Sequence, residues 1–237
     1  MINKDKKNTL YLVPIGLSES SFEWFLPHKV KEEIYQINFF IAENAKTARH
    51  FLKFISHPTL LPQIEIFELD KHNLDSQKDE IKNILQKNDK TGLISEAGMP
   101  CIADPGNHIV KMAHLNHILV KPLVGPSSIL LALIASGMNG QQFKFNGYLP
   151  QKPDERKQTI LKLEIESNHT TQLFIETPYR NDKFLAEMCQ ILKPNTMLLV
   201  AIDLTGENEK IISKPISWYK GNAIEIGKLP CIFGIGV

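Results

Sequence analysis

Between residues 91 and 150 the chain repeats one arrangement twice, and few folds accommodate it. A short apolar run meets a turn crowded with glycine and proline, and a helix-like segment follows. In the first copy Gly92-Leu93-Ile94 enters a turn over residues 95–106 that holds Gly98, Pro100, Pro105 and Gly106, with Glu96 and Asp104 between them. In the second, Ile118-Leu119-Val120 leads to Val124-Gly125-Pro126-Ser127-Ser128, and an apolar segment over 129–135 ends at Ser136-Gly137. Strand–turn–helix units are the building blocks of α/β proteins, which place ligands at the carboxyl ends of their strands. Glycine lets backbone approach a ligand closely or take positive φ, and proline stiffens the turn. A rigid loop with exposed amides is a cradle for a small polar molecule, although such turns also serve structure alone.

The same spacing predicts the local elements. Ser127 or Ser128 is a natural N-cap and Gly137 a natural stop, so a helix is expected between them. It is apolar all round and therefore expected to be buried. Its first N–H groups would suit a carboxylate, or the serines merely cap it. Strands are expected at 9–13, 37–41, 64–69, 143–150, 171–175 and 197–202, with helical periodicity at 79–86 and 181–192. Residues 70–79 read as polar loop. Strand and helix alternating in this way argue for a parallel sheet covered on both faces. Phe22, Trp24, Phe25 and Leu26 are expected to be core, with contact to a base or ring as the other reading. A charged helix over 151–166 brings Lys152, Arg156 and Lys157 close together, a candidate contact for RNA phosphate or a plain solvated face.

Composition narrows the classes. A net charge of +1 does not advertise nucleic acid, though a local basic patch is compatible with it. Cys101, Cys189 and Cys231 show neither metal-ligand spacing nor an even disulfide pattern, and fit a reducing cytoplasm. No apolar run reaches spanning length, and the polar start lacks the apolar core of a signal peptide. His108 and His114 lie on a helix with no ligand cluster around them, so no metal is expected.

Several motifs in order, ISEAGMPCIADPG, PLVGPSS, ASG and FNGYLP, resemble the tetrapyrrole-methylase superfamily of S-adenosylmethionine-dependent methyltransferases. Within it they are most similar to the branch that methylates a ribose 2′-hydroxyl of small-subunit ribosomal RNA. The resemblance implies two α/β domains, a parallel-sheet domain over 1–123 and a mixed-sheet domain over 124–237, with a cofactor cleft between them. It implies S-adenosylmethionine as cofactor, held by Gly98, Met99, Pro100, Asp104, Ser127, Ser128, Thr177, Leu204 and Pro230. The absence of a G-x-G-x-x-G run after the first strand agrees with a site unlike the usual dinucleotide fold. The resemblance further implies ribosomal RNA or the small subunit as partner, a cytoplasmic location and a homodimer.

Three segments depart from the branch's pattern. The first loop reads LYLVPIGL, two residues short and without its terminal Asn. AENAK stands for A-E-D-T-R, and IDLTG for R-E-L-T-K. Methyl transfer from a sulfonium is an in-line displacement, helped by alignment and by a base for the departing hydroxyl proton. Glu43, Glu96 and Glu176 are candidates, aided by Arg49 or Arg180; for the Glu176–Arg180 pair a structural brace is the preferred reading over a base. A small-molecule methyltransferase acting on a tetrapyrrole-like substrate, and a cofactor-binding regulatory protein without catalysis, are the alternative readings.

Overall fold

The chain's structure, a computed structural model, describes residues 8–18, 22–70 and 73–237; the side chain of Phe22 lies outside them. These residues divide into one unit ending at Pro126 and another beginning at Ser127.

The first unit holds strands β1 (Thr9–Val13), β2 (Phe39–Ala42), β3 (Glu65–Glu68), β4 (Lys90–Ile94) and β5 (Leu119–Pro122). Its helices are α1 (His28–Ile34), α2 (Ala45–Phe54), α3 (Lys78–Lys87) and α4 (Gly106–Leu115). The strands pair in parallel in the order β3-β2-β4-β1-β5. Alternation decides what covers each face. Val13, Phe40, Ala42 and Ile94 pack with Val30, Ile34, Phe51 and Leu52 of α1 and α2. Leu10, Ile41 and Leu93 pack on the other face with Ile81, Leu85 and Ile109 of α3 and α4. Central strands buried on both faces are what a parallel sheet requires. Neighbouring β1 and β4 send the chain in opposite directions, one to β2 and one to β5. Such a switch point opens a crevice at the carboxyl ends of the strands.

The second unit contains α5 (Ser128–Ser136), β6 (Phe143–Tyr148), α6 (Pro153–Glu166), β7 (Thr171–Ile175) and α7 (Asn181–Ile191). It continues with β8 (Met197–Ile202), β9 (Lys210–Pro215), α8 (Ile216–Gly221) and β10 (Cys231–Gly236). The sheet is mixed, ordered β6-β7-β10-β8-β9, with only β6 and β7 parallel. Phe174, Phe184 and Phe233 stack and edge together at centroid distances of 5.2 to 6.2 Å in its core.

The two units match the expected parallel and mixed sheets. Two local expectations, the burial of α5 and of the aromatic run near residue 24, are corrected. Helix α5 is not buried all round: Leu130 is 50% and Ile134 77% exposed, because only one side of the helix meets β8, β9 and β10. Strand β9 and helix α8 were not foreseen. The last strand begins at Cys231; before it, the Asp182 carboxylate accepts the N–H groups of Ile226 and Gly227 and holds that stretch as a turn. The aromatic run near residue 24 also divides. Leu26 is core, Phe25 is half-buried and Trp24 is exposed, while the expectation for the Phe22 side chain lies outside the described residues.

Candidate active site

In the first unit the loops that leave β1 and β4 are stitched together. The N–H of Ile15 donates to the carbonyl of Gly98 at 3.0 Å, and that of Gly98 to Gly16 at 3.4 Å. Gly98 sits at φ +66, and a Cβ there would lie 2.9 Å from the Leu17 side chain and 3.1 Å from the Pro126 carbonyl. Gly125, after β5, lies against Pro14, which a Cβ would meet at 2.0 Å. No larger residue fits either place without moving backbone. Glu43 follows β2, and its N–H reaches the carbonyl of Ile94 at 3.4 Å. Glu43, Glu96, Gly98, Met99 and Pro100 are thus gathered at one end of the sheet.

The loop between β4 and α4 is strained and internally tied. Cys101 (φ 74) and Ala103 (φ 62) occupy the left-handed region that favours glycine. Asp104 holds them there, its two carboxylate oxygens accepting the N–H groups of Cys101 and Gly106, each at 2.7 Å. Its carboxylate therefore organises the loop. Burial, reinforced by the Asp104 charge, pushes the Cys101 thiol up to about 12, so it stays protonated and unreactive.

Beside these loops lies a cavity of about 710 Å³. Its walls are the turn from Ile15 to Ser18, the Phe25 ring, Glu96 and one side of α2, from Lys46 through His50 to Phe54. Gly16 makes room for one wall: a Cβ there would meet the Phe25 ring at 3.1 Å and the Ser18 carbonyl at 2.8 Å. Asn44 caps α2, its Oδ1 accepting from the N–H groups of Lys46 (2.9 Å) and Thr47 (3.1 Å). The AENAK departure therefore keeps a helix cap.

In the second unit, register brings distant residues together. Ile202 at the end of β8 pairs with Cys231, and Ile175 at the end of β7 with Ile232. Thr177, Leu204 and Pro230 consequently meet at one end of the strands, where the N–H of Asp203 donates to the carbonyl of Pro230 at 2.9 Å. Helix α5 starts toward the same end of the strands. Its far end is fixed at their opposite end, where Met138 lies against Gly236. Ser127 caps it with a hydroxyl 3.5 Å from the N–H of Leu130, long for a hydrogen bond.

Glu176 and Arg180 form a brace. Glu176 is buried, and its carboxylate accepts from Arg180 (2.6 Å), the N–H of Thr177 (2.6 Å) and the Thr177 hydroxyl (3.2 Å). Burial alone would raise its pKa, but these donors together hold it below the usual carboxylate range. A carboxylate so satisfied is a poor proton acceptor. Within the basic cluster on α6, the reading of Arg156 is also corrected. Arg156 is buried, donates to the carbonyls of Pro150 (3.2 Å) and Gln151 (2.8 Å) and pairs with Glu187 at 2.8 Å. Lys152 pairs with Glu155. Arg156 bolts the GYLP run to α6 and α7 and presents nothing to a phosphate. Sequence reading missed the cavity wall of α2; its signal was AKTARHFLKF, a helix with four basic or histidine side chains and no acid.

A profile of the tetrapyrrole (corrin/porphyrin) methylases matches residues 9–217. Several relatives carry the name "Ribosomal RNA small subunit methyltransferase I". That of Buchnera aphidicola is 29% identical over 93% of this chain and 75% of its own length. The Vibrio cholerae protein is 32% identical over 71% of this chain and 57% of its own, and one from Streptococcus pyogenes 33% over 83% and 66%. The chain spans 57 to 75% of the length of these relatives. Among solved structures, diphthine synthase (TM-score 0.65, 14% identity, 97% of this chain and 90% of that one) and the methyltransferase CobJ (0.60, 13%, 97% and 93%) share the fold.

Proposed function

The chain belongs to the tetrapyrrole (corrin/porphyrin) methylase family and is a methyltransferase; on that premise we propose that it moves a methyl group from S-adenosylmethionine to a ribose 2′-hydroxyl of small-subunit ribosomal RNA. The observation that carries the substrate is the shared name of relatives matching 71 to 93% of the chain. The reading brings with it a cytoplasmic location and a homodimer, for which the exposed Leu130 and Ile134 of α5 offer an apolar surface.

The residues present suit the cofactor. Asn181 is fully buried; its Nδ2 donates to the Leu229 carbonyl at 2.8 Å, and its Oδ1 has no hydrogen-bond partner among the described residues. An orphaned acceptor beside Leu229 and Pro230 suits a donor such as an adenine amine. Ser127 and Ser128 open α5 with hydroxyls and N–H groups fit for a carboxylate. Gly98, Met99 and Pro100 offer backbone groups, Asp104 keeps their loop in shape, and Thr177 and Leu204 complete the set. When bound, the cofactor supplies an electrophilic methyl on a sulfonium.

The chain's own part is to align the hydroxyl and take its proton. Glu176 is engaged by Arg180 and Thr177, and Glu43 follows β2 outside the cavity wall. Glu96 lines the cavity and is exposed to it, which makes it the proton acceptor in this reading. The test is transfer of tritiated methyl to small ribosomal subunits lacking the modification, with the product mapped by nuclease digestion and mass spectrometry. Label in a 2′-O-methyl nucleotide supports the reading; label found only in a small molecule transfers it to a tetrapyrrole-like substrate. Glu96→Gln is expected to slow turnover by about 10²–10⁴-fold, the usual contribution of a general base, with cofactor affinity unchanged. A loss of less than tenfold would remove Glu96 from that role.

A further inference from the structure

None of the residues proposed to hold the cofactor lies on α2 or lines the cavity beside it. Helix α2 buries Ala45, Ala48, Phe51 and Leu52. Lys46, Arg49, His50 and Lys53 stand on its other side, all exposed. Their spacing of three, four and seven residues aligns them along one stripe. No acid interrupts the helix, in a chain whose net charge is only +1. Its first N–H groups are already taken, by Asn44 and by Glu68, whose carboxylate accepts from Ala45 at 3.2 Å. Attraction for an anion at this surface therefore comes from the side chains. From Lys46 to Lys53 the stripe runs about 10 Å along the axis, comparable to roughly three phosphates of a stacked strand at about 3.4 Å each.

The cavity borders that stripe at Lys46 and His50. At about 710 Å³ it falls within the range of roughly 300–1,000 Å³ that encloses small ligands. It is walled by aromatic rings where a base would lie, Phe25 half-buried and Phe54 38% exposed, and edged by Lys46 and His50. Aromatic rings beside a cationic track are how single-stranded nucleic acid is held without reading its sequence. Asn44, Lys46 and Thr47 at the start of α2 and Glu96 in the loop after β4 line the same cavity.

We propose that this is the RNA-seating surface of the first unit: one unpaired nucleotide places its base against Phe25 and Phe54 in the cavity, and Lys46, Arg49 and Lys53 hold the phosphates beside it. The assignment rests on the ribosomal RNA reading above and deepens it. A nucleotide so seated brings its ribose to the mouth of the cavity on which Glu96 stands, and its base leaves the stack. The basic start of α6, with Arg156 buried, provides no equivalent track.

The test measures binding of a fluorescein-labelled 20-nucleotide uridylate RNA by anisotropy across a salt series, on the full chain. The triple variant Lys46→Ala/Arg49→Ala/Lys53→Ala is expected to flatten the plot of log affinity against log salt by about 2, at about 0.7 per lost phosphate contact on a single strand. Phe54→Ala is expected to weaken binding on the order of 10-fold through lost stacking, leaving the salt slope as it was. Arg49→Glu serves as a second surface variant should the triple one fold poorly. S-adenosylhomocysteine affinity and melting temperature should match wild type throughout. A triple variant that keeps both affinity and slope, or a wild type that does not bind the RNA, overturns the proposal. If wild type methylates small subunits while the α2 variants bind and turn over normally, the surface is wrong and the function stands. If the variants lose RNA but no ribosomal RNA accepts label, the surface stands and the function is wrong.

Discussion

Glu176 is a carboxylate whose neighbours decide its task. Three donors converge on it within 3.2 Å, and they favour the charged form more than burial disfavours it. Removing one partner of a buried pair costs about 3–5 kcal/mol, but Arg180 is more than a third exposed, so solvent screens the pair and about 1–2 kcal/mol is the expectation for Arg180→Ala. The pH dependence has a definite sign. A folded-state pKa below the unfolded one gives stability that is complete above the unfolded value, about 4.3, and is lost as pH falls through the folded value. Wild type should therefore exceed Glu176→Gln in melting temperature at pH 7, and the gap should close toward pH 3. A gap that stays constant with pH would show that the carboxylate's charge has no role in the brace. The motif made the residues of this brace readable, and left open its role as brace or base. That choice depends on distances, which a string of residues does not contain.

At the scale of elements, caps decide where helices begin, and they survive changes that obscure a motif. AENAK differs from the branch's usual acid and arginine, yet Asn44 supplies the oxygen that two N–H groups at the start of α2 require. Asn and Asp rank together as N-caps, and replacing either by Ala costs about 1 kcal/mol. Asn44→Asp is thus expected to hold wild-type stability within a few tenths of a kcal/mol and Asn44→Ala to lose about 1 kcal/mol, as read by urea unfolding. Equal losses in both would mean that the cap is not what anchors the helix. The ends of α5 are legible in the same way, from Ser127 and from Gly137, which sits at φ 73. Its burial is not. An apolar composition states what a helix would prefer to cover, whereas Leu130 and Ile134 stay exposed because the sheet meets only the opposite side. Lysines and an arginine likewise announce charge without direction: Arg156 turns inward to Glu187 while Lys46, Arg49 and Lys53 face solvent.

Across the whole molecule, alternation of strand and helix made the first sheet readable, because strands buried on both faces appear as continuous apolar runs. The second sheet was less so. Strand β9 is an edge strand, KIISKP, whose polar alternation and terminal Pro215 resemble loop. The antiparallel register that gathers Thr177, Leu204 and Pro230 also has no local signal. Each unit nevertheless has its own closed set of core contacts, with Phe233 among Phe174, Phe184, Leu198 and Val200, and Phe40 among Val13, Ile34 and Ile94. Local stability follows such contact sets. Phe233→Leu removes part of one of them and should cost about 1–3 kcal/mol. Hydrogen exchange read by mass spectrometry is expected to show faster exchange in β7, β8 and β10 of this variant, with β1, β2 and β4 exchanging at wild-type rates. Because the exchange of each strand reports the opening that exposes it, equal acceleration in both sheets would mean that the two cores open as a single cooperative body. Confinement to the second sheet would mean that the RNA-seating surface on the first keeps its shape while the second unit opens.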